Sequence, residues 1–151
     1  MFQKTEPKTT GVYRATFSGY NNLTGQNFQS YFVAIFNRNG LVCFEENEEK
    51  IHFTLEEIEE IHSRTSYEHF TSLTDYHMDG NNIKFKYYDA ESPADYNAGI
   101  INPEVYTELV GEFKDGNLYL KFFKAQFSDA YQDYIYEQAI PQTLCFSLHT
   151  N

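Results

Sequence analysis

Three short segments, Asn37-Arg38-Asn39-Gly40, Asp79-Gly80-Asn81-Asn82 and Lys114-Asp115-Gly116-Asn117, constrain this chain more than any other feature. Asn, Asp and Gly tolerate the positive φ that tight reversals need, and each segment stands between runs rich in apolar residues. Where apolar and polar residues alternate, every second side chain falls on one face, the mark of a strand with one buried side. A chain that reverses repeatedly between such runs builds an antiparallel meander, not a coiled coil or a collagen-like or low-complexity polymer.

Residues 11–20 (GVYRATFSGY) set Tyr13, Ala15 and Phe17 against Arg14, Thr16 and Ser18, and residues 21–27 read as a turn. Residues 28–37 (FQSYFVAIFN) are apolar on both faces, Phe32, Ala34 and Phe36 against Tyr31, Val33 and Ile35. Such a strand needs cover on both sides, from an amphipathic helix or from a second copy of the chain in a homodimer. Residues 41–44 are the return strand. The period then changes. Thr54 followed by Glu57 fits a capping box, and Leu55, Ile58 and Ile61 recur at helical spacing, which predicts a short amphipathic helix over residues 54–62. Residues 63–71 are ambiguous, and 72–78 return to strand with Thr74, Tyr76 and Met78 on one face.

Ile83, Phe85 and Tyr87 alternate with Lys84, Lys86 and Tyr88, whereas residues 89–104, with Pro93 and Pro103, read as a long connection. Residues 105–113 and 118–125 flank the third reversal, with Leu109 and Phe113 facing Leu118, Leu120 and Phe122. Residues 131–140 fit either strand or helix, stopped by Pro141, and Leu144, Phe146 and Leu148 mark a last strand. Fourteen Phe and thirteen Tyr, with no Trp, make the apolar volume mostly planar rings, which suit sheets. The expected fold is mainly β, an antiparallel up-and-down (meander) β-barrel of eight to nine strands with one short amphipathic helix. Closure hides both sheet edges. The 151 residues are one domain, residues 11–151, behind a polar leader over residues 1–10, with the helix capping one end and the 89–104 connection crossing a rim.

Gly11-Val12-Tyr13 at the start of the first strand, the NRNG, MDGNN and KDGN turns and a helix after the third strand resemble lipocalin-like (calycin) barrels, including small bacterial members of unassigned role. Tyr13 stands where the family pattern has Trp. The resemblance implies a lumen able to hold a small apolar ligand. The rings that converge in a closed barrel are Tyr13, Phe17, Tyr31, Phe36, Phe85, Tyr87 and Phe122, a set that either fills the lumen as core or lines a ligand site. Tyr31 and Phe36 differ in parity, so one of them must leave the lumen unless a bulge intervenes.

Eleven Lys plus Arg against twenty-two Asp plus Glu leave a formal charge of −11, which repels phosphate backbones and anionic lipid surfaces, so no nucleic-acid partner is expected. Glu45, Glu46, Glu48, Glu49, Glu56, Glu57, Glu59 and Glu60 crowd into sixteen residues. The run is a solvated turn and helix face, or else a docking patch, centred on Glu56, Glu57, Glu59 and Glu60, by which an interaction or inhibitor/immunity-type module holds a basic protein. The five histidines form no metal-ligand pattern, and no nucleophile elbow or Gly-rich phosphate loop is present. Asp89, Glu91, Asp95 and Asn97 do not follow the spacing of a calcium loop, and Asp129, Asp133 and Glu137 read as a surface stripe. No catalytic residue, metal or cofactor is assigned, and the chain reads as a non-enzymatic binding protein. Cys43 and Cys145 are expected to be buried free thiols. Without a long apolar run or a signal-peptide core, no membrane span is expected and the chain as written looks cytoplasmic, or periplasmic or secreted if an export signal has been removed.

Overall fold

The computed structural model describes residues 11–37, 39–50, 52–63, 73–88, 106–128 and 133–149. The leader 1–10, residues 64–71, the 89–104 connection with Asp89, Glu91, Asp95 and Asn97, and also Asp129, lie outside them. Among the described residues the order is β1 (Val12–Asn21), β2 (Gln26–Phe36), β3 (Leu41–Asn47), α1 (Leu55–Ser63), β4 (Leu73–Asp79), β5 (Asn82–Tyr88), β6 (Tyr106–Lys114), β7 (Asn117–Ser128) and β8 (Asp133–His149). Each strand pairs antiparallel with the next, and β8 pairs back onto β1 through Val12–His149, Tyr13–Leu148 and Arg14–Ser147, closing an eight-stranded barrel.

The reversals work as their residues predict. Asp115 (φ 54°) and Gly116 (φ 80°) both lie in the left-handed region between paired Lys114 and Asn117, which gives the loop the twist of the strands it joins. In the Asn37–Gly40 turn one side chain holds the reversal together. Asn37 Oδ1 accepts from the backbone N–H groups of Asn39 (2.9 Å) and Leu41 (3.0 Å), and its Nδ2 donates to the carbonyl of Ile61 (3.1 Å) at the end of α1. Asn37 is buried because it ties hairpin to helix.

Two apolar clusters lie on the two faces of one sheet. Inside the barrel, rings from seven of the eight strands pack edge to face: Phe36 meets Tyr13 (5.6 Å between centroids), Tyr76 (5.2 Å) and Phe113 (5.7 Å), and Phe44 meets Tyr87 (5.4 Å), Phe85 (5.6 Å) and Phe122 (5.9 Å). Outside it, Val12, Val33, Ile35, Leu41 and Cys43 are covered by Phe53, Ile58 and Ile61. The double-faced apolar β2 is thus served by α1 of its own chain. This corrects the expectation that the helix caps an end: its apolar side lies against the outer wall of β1 to β3. Its first turn has the predicted capping box, with Thr54 Oγ1 accepting from Glu57 N–H (3.1 Å) and Glu57 Oε1 from Thr54 N–H (3.3 Å).

Two further expectations are corrected. Pro141 does not stop the last strand: β8 runs from Asp133 to His149, and the register against β7 slips between Leu120–Leu144 and Phe122–Ile140. Three residues of β8 there oppose one of β7, a bulge that needs no N–H from the proline. Cys145 is exposed while Cys43 is buried, both as free thiols, because Leu144 and Phe146 on either side of Cys145 point inward. Gly111 faces the lumen where β7 comes so close that a Cβ would run into the carbonyl oxygen of Tyr119, so no other residue fits.

Asn37→Ala leaves the Ile61 carbonyl and the Leu41 N–H without these bonds, and should lower the unfolding free energy by about 2–3 kcal/mol in urea titrations. Asn37→Asp keeps the oxygen that accepts from Asn39 and Leu41 but turns a buried carboxylate oxygen toward the Ile61 carbonyl, so its loss should be at least as large at pH 7.5 and shrink in acid, where the protonated carboxyl donates instead; a loss independent of pH would remove the bond to Ile61 from the account.

Candidate functional site

The predicted rings separate by depth. Tyr13, Phe36, Phe85 and Phe122 are buried in the luminal cluster, with Phe17 and Tyr87 packed against it. Tyr31 is the one that leaves: it follows the parity of Val33 and Ile35, and its hydroxyl donates to Gln29 Oε1 (3.0 Å) outside the lumen. No bulge breaks the β1–β2 register to bring it back.

The lumen is filled at one end and hollow at the other. Toward the Asn37–Gly40 and Asp115–Gly116 turns the interior is solid, because Phe36 sits among Tyr13, Tyr76, Phe85 and Phe113. Toward the β1–β2 turn, where Phe44 and Phe122 form the floor, a cavity of about 570 Å³ opens. Phe17, Phe28, Phe32, Tyr87 and Ile140 complete its apolar wall, and Ser30, Thr107, Glu46, Asn47 and Glu48 supply the polar groups. The rings of Phe17 and Phe28 stand 5.9 Å apart at the mouth, with Phe28 lying over Gly19, where a Cβ would strike its ring. Of the seven predicted rings only Phe17, Tyr87 and Phe122 line the cavity.

Phe28, Ser30, Phe32, Phe44 and Glu46 were missing from the sequence-derived site, and their signal is parity. Counting back in twos from Phe36 passes through Phe32, Ser30 and Phe28. Counting on from Val42 passes through Phe44 and Glu46. The register confirms the facing, since Phe32 lies directly opposite Glu46 and Ala34 opposite Phe44.

Among the described residues, depressions also lie on the outer wall. One of about 880 Å³ alternates Lys84, Lys114 and Lys121 with Asp79, Glu112 and Asp115, so its charges offset one another. Another, of about 550 Å³, brings Arg14, Lys50, His52 and His149 beside Cys145, and burial lowers the pKa of the Arg14 guanidinium. The luminal cavity differs from both in its buried aromatic floor, the feature that holds small molecules. Among the described residues no group of three or more His, Cys, Asp or Glu is arranged to hold a metal ion. No helix of the described residues is long and apolar enough to cross a membrane.

Glu56, Glu57, Glu59 and Glu60 are all exposed on α1, with Glu57 also committed to the cap. Glu45, on the outer face of β3, is pushed above the usual carboxylate range by burial and then by the nearby Glu57. A carboxyl group raised in the folded state opposes folding once it ionises, so its cost is absent in acid and grows as pH climbs from the unfolded pKa through the raised one. Glu45→Gln should therefore raise the melting temperature at pH 7.5, with the gain shrinking toward pH 4 in a thermal-melt series; a gain independent of pH would remove the charge explanation. No protein-family model matches this chain, and a comparison with curated proteins finds no match either.

Proposed function

We propose that this barrel is a lipocalin-like binding protein that takes a small, largely apolar molecule into the mouth of its lumen. The cavity carries the reading: its volume of about 570 Å³ exceeds the roughly 300 Å³ at which ligand pockets begin, and its floor is aromatic. Phe28 is 42% exposed and Phe17 half-buried, so the mouth leaves ring surface that a ligand would cover. The neutral probe N-phenyl-1-naphthylamine should brighten on binding with a micromolar dissociation constant. Ser30→Phe puts a ring into the cavity and should weaken uptake at least tenfold while the far-ultraviolet circular dichroism stays unchanged. A wild-type protein that leaves the probe dark would end the proposal.

A second reading has its own support in the exposed carboxylates of α1 and in the Glu45–Glu57 repulsion, which a docked cation would relieve. It assigns Glu56, Glu57, Glu59 and Glu60 to a basic protein partner. Replacing the four by Gln keeps the capping box, since Gln serves there as well as Glu. The variant should lose at least tenfold in affinity for an immobilised histone at 50 mM salt, whereas Asp79→Asn, Glu112→Gln, Asp115→Asn combined should not. Equal losses would show only the effect of net charge.

A further inference from the structure

Among the described residues, the charged groups that line the luminal cavity are all acidic. Glu46 lies opposite the buried Phe32 in the β2–β3 pairing and so shares its face, and Glu48, two residues further toward the mouth, lines the same space. No Lys, Arg or His is among the described residues that line it. Deeper in, Ser30 is only 8% exposed, and its hydroxyl makes no hydrogen bond to a described residue. A hydroxyl that opens on a cavity and has no partner among the described residues is a place where a ligand's polar group is accepted.

We infer that the ligand carries a cationic head: an alkyl- or arylamine whose apolar body lies on Phe44 and Phe122 and whose ammonium group is held at the mouth by Glu46 and Glu48, within reach of Ser30. This deepens the reading of the lumen as a ligand site and rests on it. The chemistry fits on three counts. An ammonium has three N–H donors and no acceptor, and the mouth offers carboxylate and hydroxyl oxygens. The faces of Phe17, Phe28 and Tyr87 attract a cation through their ring quadrupoles. The two carboxylates, on a chain of charge −11, repel a fatty acid's head group.

Competition against N-phenyl-1-naphthylamine separates this inference from the reading beneath it. Decylamine, decanol and decanoate are titrated below their micelle concentrations at pH 7.5 and 20 mM salt. Decylamine should displace the probe at a concentration at least tenfold lower than decanoate, with decanol between them. Glu46→Gln combined with Glu48→Gln should bring the three within about twofold once each displacement is referred to the variant's own affinity for the probe. Salt at 0.5 M should narrow the wild-type gap, a measurement that stands if the double variant does not fold. Decanoate competing as well as decylamine, with the probe bound, overturns the amine assignment alone. A probe that never binds overturns the lumen reading together with it.

Discussion

Three residue pairs, Val12–His149, Tyr13–Leu148 and Arg14–Ser147, join the first strand to the last, and the rest of the structure depends on that seam. An open eight-stranded sheet would present two bare edges and would leave the choice of buried face to each strand. Once β8 pairs with β1, the inward face is common to all eight strands, and one parity on each strand points to a shared interior. Tyr13 shows the coupling: it belongs to the seam through its backbone and to the luminal rings through its contacts with Phe36 and Phe113.

Closure also requires a strand to change partners. β8 pairs with β7 along residues 133–146 and with β1 along 147–149, and β4 pairs with β3 and then with β5. The bulge around Pro141 lies beside Ile140, which lines the cavity. Bulges bend strands and sharpen twist, so the irregularity that lets β8 curve also sits beside the hollow end of the lumen. At the other end Phe36, Tyr76, Phe85 and Phe113 converge and leave no space.

The architecture was legible in residues 37–40, 79–82 and 114–117, because a turn's φ requirements are local and Asn, Asp and Gly declare them. The α1 cap was legible for the same reason, since the side chains of Thr54 and Glu57 each bond to the other's backbone N–H. The site was less so. Which face of β2 lies inside is not a local property when Val33 and Ile35 are as apolar as Phe32 and Phe36; the outer face is the one that Phe53, Ile58 and Ile61 cover. The depth of a ring is likewise set by register across strands: Phe85 and Tyr87 alternate alike in sequence, yet one belongs to the buried core and the other lines the cavity. Pro141 misled because a proline forbids a regular ladder position but not a bulge.

The placement of α1 then explains how one chain affords both a solid and a hollow interior. With its apolar side on the outer wall of β1 to β3, the helix buries the second face of β2, and Asn37 ties its last turn to the hairpin at the solid end. The rings of that half are therefore enclosed within a wall supported on both sides. The mouth, at the other end of the same strands, draws its polar groups from Ser30, Glu46 and Glu48, where β2 begins and β3 ends. A helix laid across that end would have filled the hollow, so its position on the wall is what leaves the lumen open there.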